Sequence, residues 1–295
     1  MSVSSLIVVL SACFLSTVLV PADGDEAVVL IRCDDIGMCH TVNVAAQKVL
    51  ATGIPVSFSV MFACPWYQEA VDLLKQHPEV SVGVHLTLNA EWKNYRWGPV
   101  SGAGSVPSLV DSVGFFFPSR ATFFANQPRI EEIETELRAQ IQRAIHSGLR
   151  IDYVDYHMGT AVDKPEVRAL VEALAKEYRL GISRYFGEMD VEGVYSAPVG
   201  SKIDTLLART NSVGQAAVNL MVFHIGLQTP EMNALEDMNS FGLREMSKHR
   251  ESELNSLTSP RFLKLVQEKH IRLTTYRELI GQTGLAGMKR PTVKD

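Results

Sequence analysis

Ala27-Val28-Val29-Leu30-Ile31-Arg32-Cys33-Asp34-Asp35-Ile36-Gly37 opens on branched apolar residues and ends on two consecutive carboxylates and a glycine. A run this short and this apolar reads as a strand buried on both faces, as strands of a parallel sheet are. Six further runs have the same character, at 54–62, 80–88, 150–156, 181–186, 216–223 and 270–276. Helical periodicity fills most of the intervals. Its clearest case is 129–149, where Ile130, Ile133, Leu137, Ile141 and Ile145 share a stripe opposite charged residues. Further helices are expected at 42–51, 66–76, 165–178 and 202–209, with one long helical stretch at 241–269. Pro65 and Pro165 stand where helices begin, and Gly53, Gly148 and Gly181 where they end. Seven strand runs interleaved with helices predict an α/β fold with a parallel sheet, either open and doubly wound or closed into a barrel.

Composition agrees with an ordinary globular chain. The 295 residues are 46% hydrophobic and 21% charged, which excludes disordered, collagen-like and coiled-coil classes. Twenty-eight Lys and Arg against 33 Asp and Glu give a net charge of −5, and no basic run occurs. Such a chain is not built to hold nucleic acid or an anionic membrane. Neither GxGxxG after the first strand nor GxxxxGK[ST] anywhere is present, so nucleotide binding has no support.

Residues 5–20 are apolar or small and carry no charge, but sixteen residues are short for a membrane span, which needs ~20. Val20 and Ala22 suit cleavage after Ala22, so 1–22 is expected to be a signal peptide and 23–295 the mature, periplasmic or secreted protein, without stable membrane insertion. An uncleaved anchor and a mis-assigned start are the alternatives. Leu10-Ser11-Ala12-Cys13 suggests lipoprotein anchoring as second choice. Removal of Cys13 leaves Cys33, Cys39 and Cys64, an odd number without a CxxC, so neither a disulfide scaffold nor a thiolate zinc site is expected.

In parallel α/β folds the chemistry gathers at the carboxyl ends of the strands. There the sequence places Asp34 and Asp35, His85, His157 and His224. One carboxylate and two imidazoles can hold a divalent ion with positions left over. A second adjacent carboxylate is then free to act as a base on water. Asp34-Asp35 could instead cap the following helix, and His85 could be a hydrogen-bonded core histidine. Their joint placement at strand ends favours a site.

These residues resemble the YdjC/ChbG carbohydrate deacetylases, relatives of the NodB-type polysaccharide deacetylases. The resemblance rests on Asp34-Asp35-Ile36-Gly37, Gly83-Val84-His85-Leu86-Thr87-Leu88, Asp155-Tyr156-His157 and His224-Ile225-Gly226. It extends through Val106-Pro107-Ser108-Leu109-Val110-Asp111, Gly114-Phe115, Arg184 with Glu188, and Arg250-Glu251-Ser252-Glu253-Leu254, covering roughly residues 28 to 280 in order. It implies a distorted seven-stranded, TIM-like (β/α) barrel in a single domain. It also implies that Asp35, His85 and His157 bind Mg2+ or Zn2+, with Asp34 as the base that activates water. The implied reaction is hydrolysis of the N-acetyl group of an amino sugar or chitooligosaccharide. Two departures touch the substrate side: Met158-Gly159-Thr160-Ala161 replaces a run of alternating histidines, and Ile225 stands where the family has proline.

The loop at 89–128 is the one long excursion and is rich in aromatics. Such loops are usually functional, and Trp92 and Trp97 are expected to stack on sugar rings. His224 is expected as general acid or oxyanion donor, with Arg184 beside it, or as a support for Asp34; Arg184 and Glu188 are expected to contact substrate. Two other readings stay open: a barrel glycosidase using Asp34 and Glu188 as paired carboxylates, and a catalytically silent carbohydrate-binding barrel. A homodimer is left open as well.

Overall fold

A computed structural model describes residues 26–291. The expected signal peptide at 1–22 lies outside the described residues. The strands are β1 (Val28–Ile36), β2 (Ser57–Val60), β3 (Ser81–Leu86), β4 (Ile151–Tyr156), β5 (Gly181–Ile182), β6 (Met189–Asp190), β7 (Val218–Phe223) and β8 (Arg272–Thr274). All pair in parallel, in the order β5-β4-β3-β2-β1-β7-β6, and β8 joins β1 off this path. No pairing links β5 to β6 among the described residues, so the sheet is a curled half-barrel. β1 offers one edge to β7 over Val28–Cys33. Its other edge is divided: Val28–Leu30 pairs with β8, and Arg32, Cys33 and Ile36 pair with β2.

The helices are α1 (His40–Leu50), α2 (Tyr67–Lys75), α3 (Arg120–Ala125), α4 (Ile130–His146), α5 (Pro165–Tyr178), α6 (Lys202–Asn211), α7 (Pro230–Asn233), α8 (Met246–Leu257), α9 (Pro260–Glu268) and α10 (Tyr276–Thr283). The stretch expected as one helix at 241–269 is two. Pro260 lacks an amide hydrogen and cannot continue α8, and Ser259 restarts the chain by accepting from the Arg261 amide at 3.1 Å. The last strand run also stops early. Thr275 caps α10 by accepting from the Glu278 amide, so Tyr276 is helical rather than extended.

Alternation along the strands sorts side chains into two layers. Odd residues of β1 (Val29, Ile31, Cys33) enter the large apolar core that includes helix residues such as Val42, Leu137 and Leu174. Even residues face the inside of the curl. At its floor Leu30, Tyr153 and Leu220 meet Tyr276 and Leu279 of α10. Gly83 of β3 is required there, since a Cβ would lie 2.4 Å from the Tyr153 ring. One layer up, Ser59 bonds the Tyr153 hydroxyl at 2.8 Å and Arg32 reaches Ser183 at 2.6 Å. The next even residue of β1, Asp34, brings the inner face to the carboxyl rim. The curl is apolar below and ionic above.

Candidate metal and catalytic site

Two consecutive residues of a regular strand point to opposite faces, so Asp34 and Asp35 should not meet in one site. The end of β1 breaks the rule. Its register with β2 shifts between Cys33 and Ile36, and Asp35 takes φ 63°. A left-handed non-glycine residue costs on the order of 1–3 kcal/mol, and here it turns the second carboxylate into the same cavity as the first. The chain does the same after His157, where Met158 has φ 51° and Gly159 φ 70°.

Asp35 is 1% exposed. Its Oδ2 accepts from Arg250 Nη2 at 2.6 Å. Its Oδ1 lies 3.4 Å from His85 Nε2 and 3.3 Å from His157 Nδ1, and has no hydrogen-bond partner among the described residues. His85 Nε2 and His157 Nδ1 are themselves 3.3 Å apart. The far nitrogen of each ring meets a buried carboxylate: His85 Nδ1 is 3.0 Å from Asp155, and His157 Nε2 is 3.0 Å from Glu91. Carboxylates behind imidazoles fix the tautomer and leave the converging nitrogens as lone-pair donors. An orphaned carboxylate oxygen between two such nitrogens fits a divalent cation. Asp34, His85 and Asp155 form a second, overlapping group of convergent ligand atoms.

Charge in this pocket is balanced pairwise. Burial disfavours an ionised Asp34, but Arg32 overrides it and holds the carboxyl below its ordinary value. Both Asp34 oxygens accept from Arg32, at 2.6 and 2.7 Å. Arg250 does the same for Asp35, also against burial. Burial would likewise strip the proton from each histidine. Asp155 and Asp34 instead lift His85 to about 10, and Glu91 and Asp35 lift His157 to about 9. Without a cation both rings therefore hold a second proton at neutral pH, and a divalent ion would have to displace it from the converging nitrogens.

The other expected site residues divide. His224 acts electrostatically on Asp34. Its ring packs edge-on against Tyr195 at 5.2 Å, its amide donates to Glu253 at 2.8 Å, and its Nδ1 has no hydrogen-bond partner among the described residues. Arg184 pairs with Asp190 at 2.8 Å and covers the Tyr156 ring at 6.0 Å. Glu188 is engaged in its own loop, accepting from the amides of Arg184 at 2.8 Å and Phe186 at 2.7 Å. Trp92 and Trp97 do not offer open faces to a sugar. They are 2% and 3% exposed, because the loop folds inward and buries Phe116 and Phe123 with them. Trp97 donates to the Asn89 carbonyl at 2.7 Å and packs against the His157 ring at 6.1 Å, so it supports the site from below. The three described cysteines are buried and free.

Sequence reading missed the supports Arg32, Asp155 and Glu91. Arg32 precedes Asp34 by two residues, and Asp155 precedes His157 by two, so strand alternation already put each pair on one face. No comparable signal points to Glu91, which arrives from the long loop.

Comparison with known proteins finds relatives along most of the chain. A carbohydrate deacetylase of Brevibacillus brevis is 28% identical over 256 residues, spanning 85% of this chain and 98% of that one. A carbohydrate deacetylase of Geobacillus stearothermophilus is 28% identical over 256 residues, 84% and 96% of the two chains. The fold is shared with a candidate cellobiose-phosphate cleavage protein of Enterococcus faecalis V583, at TM-score 0.70 and 22% identity over 86% of this chain and 99% of that one. With residues 28–268 matching the family model, the chain belongs to the YdjC-like protein family.

Proposed function

We propose that this protein is a carbohydrate deacetylase that hydrolyses N-acetyl groups of amino sugars or chitooligosaccharides with the help of a divalent cation. The observation that carries the reading is Asp35 Oδ1, buried and unpartnered between two imidazole nitrogens that are each backed by a carboxylate. The relatives named carbohydrate deacetylase support it. Asp35, His85 and His157 would hold the ion, and two imidazoles among three ligands favour zinc over magnesium. A bound cation polarises the acyl oxygen and lowers the pKa of water.

The chain's own residues do the rest. Arg32 keeps Asp34 ionised, so Asp34 can take the proton of the attacking water. His224, whose Nδ1 has no hydrogen-bond partner among the described residues, returns a proton to the departing amine. The glycosidase reading is weaker, because both oxygens of Glu188, the second carboxylate it needs, are held by backbone amides of its own loop. The uncharged apolar run at 5–20, with Val20 and Ala22 before Asp23, supports a reaction outside the cytoplasm.

The test is acetate release from a panel of N- and O-acetylated sugars by metal-reconstituted protein. Asp34→Asn should keep its metal and lose turnover, since the amide cannot accept the proton. Absence of acetate from every sugar would leave only a binding barrel. Undiminished metal in a His85→Ala/His157→Ala double variant would remove the ligand assignment.

A further inference from the structure

A cavity of about 700 Å³ opens beside the turn that follows His157, lined by Arg120, Phe124, Met158, Asp163, Lys164 and Phe241. That volume is in the usual range of small-molecule sites. Two of its walls spring from residues bound to the candidate metal site. Met158 is the next residue after His157, and the left-handed turn at Met158 and Gly159 leaves it lining the cavity while His157 faces Asp35. Arg120 lies over the same turn, since a Cβ at Gly159 would be 3.3 Å from Arg120 Nη1. The loop that carries Phe241 is tied to Glu91: the Met238 amide donates to the Glu91 carbonyl at 2.9 Å, and the Glu91 carboxylate is 3.0 Å from His157 Nε2. Asn239 then donates to the Pro118 carbonyl at 2.8 Å and joins this loop to the chain just before α3.

The lining has a definite chemistry. Asp163 is shared by two cations, Arg120 Nη1 at 3.4 Å and Lys164 Nζ at 3.3 Å. Lys164 also covers the Phe124 ring at 5.2 Å, and Phe241 stands at the lip with 71% of its surface exposed. A wholly apolar ligand would strand these three charges without partners. An anion would meet Asp163 between the two cations. Hydroxyl groups donate and accept, so they suit a carboxylate flanked by a guanidinium and an ammonium. The C–H face of a pyranose ring suits an exposed phenyl ring.

Resting on the deacetylase reading, we infer that this cavity is the subsite for the sugar ring next to the one that is deacetylated, which makes the substrate an oligosaccharide and not a free amino sugar. Phe241 covers the apolar face of that second ring, the platform that the buried Trp92 and Trp97 do not supply. Arg120, Asp163 and Lys164 bond its hydroxyls. These residues bind and position; none of them touches the reacting atoms. Holding the second ring beside His157 fixes the acetamido ring over the metal site, so binding remote from the chemistry is converted into orientation.

The experiment measures acetate release from N-acetylglucosamine and from N,N′-diacetylchitobiose by metal-reconstituted wild type, Phe241→Ala and Arg120→Ala. Wild type should prefer the disaccharide in kcat/KM. Each variant should lose roughly 10-fold on the disaccharide, chiefly through KM, with the monosaccharide rate and the metal content unchanged. Phe241→Ala decides the case should Arg120→Ala lose metal. Equal kcat/KM for the two sugars in wild type overturns the subsite, as does a variant loss that is the same on both sugars or absent from both. A second readout needs no turnover. In metal-loaded Asp34→Asn, the Phe241 ring resonances should shift when diacetylchitobiose is added and stay in place with N-acetylglucosamine; resonances unmoved by the disaccharide are a contrary result. A wild type that releases no acetate from any sugar removes the deacetylase reading itself, whereas a wild type active on both sugars alike removes this inference alone.

Discussion

At the scale of single residues, the site is a set of carboxylates each assigned a cation. Arg32 serves Asp34 and also lies 3.2 Å from Asp155, which in turn orients His85. Replacing it by an apolar side chain leaves two buried anions sharing less positive charge. Loss of one partner from a buried ion pair costs roughly 3–5 kcal/mol, so Arg32→Met should lower unfolding free energy by about that much in urea titration. A change below ~1 kcal/mol would show that solvent screens the pair. Gly83 makes the complementary steric case. A methyl group 2.4 Å from the Tyr153 ring overpacks the interior, and Gly83→Ala should destabilise by roughly 1–3 kcal/mol, with Tyr153→Phe unable to rescue it because the clash is with the ring itself.

At the scale of elements, the inserted loop and helix α8 decide how the rim is walled. Asp111 ties the loop together: it accepts from Arg96 at 2.6 Å and from the amides of Val113 at 2.9 Å and Phe115 at 3.2 Å. Burial opposes its charge, but the Arg96 and backbone bonds hold its pKa below the ordinary 3.8. A depressed folded value means that its contribution is complete above the unfolded pKa and is lost as pH falls through the folded one. The loop should therefore loosen in acid below about pH 3.8. Fluorescence of Trp97 during acid titration checks this, and Asp111→Asn should abolish that step while leaving the loop weaker at neutral pH. On the opposite side, Lys202 of α6 is fully buried and donates to the Val194 and Tyr195 carbonyls at 2.5 and 2.6 Å and to Glu253 of α8 at 3.4 Å. Because Tyr195 packs on His224, Lys202→Met should lower thermal stability and also raise the mobility of the His224 ring, read from its NMR line width.

At the scale of the whole molecule, the floor of the curl is closed from outside the strand–helix repeats. The family match ends at residue 268, yet Tyr276 and Leu279 of α10 fill the space beside Leu30, Tyr153 and Leu220. Arg277 locks α10 beneath the strands through Asp152 at 3.0 Å and the Val80 carbonyl at 2.7 Å. Full burial of a large apolar side chain contributes roughly 1.5–3 kcal/mol. Truncation after residue 268 should therefore expose the floor and give a protein that binds hydrophobic dye and unfolds without a sharp transition. Retention of a cooperative melt would show that the floor is dispensable. At the other end, the expected cleavage after Ala22 is checked by N-terminal sequencing of the exported protein, which should begin at Asp23.

The sequence by itself determined seven of the eight described strands, their parallel arrangement and the carboxyl rim. Those follow from local rules: apolar run length sets a buried strand, helical periodicity sets the crossover, and β/α connectivity sets which strand ends face the same way. Asp34, Asp35, His85 and His157 were legible as candidate site residues because each stands at or near the carboxyl end of such a run, and Pro165–Tyr178 was legible as a helix because proline opened it. The short strand Met189–Asp190 was not, since two exposed residues carry no periodicity. Only the tertiary structure decided which partners complete the site. Glu91 lies 66 residues from His157 and Arg250 lies 215 from Asp35, separations over which no local pattern constrains a side chain. The same holds for Trp92 and Trp97. An aromatic in a loop reads as a sugar platform or as core, and only the long-range packing of 89–128 against the curled sheet and its helices settles that both indoles are buried. Local chemistry chooses the donors, and the distance between them is set by how distant segments exclude water from one another.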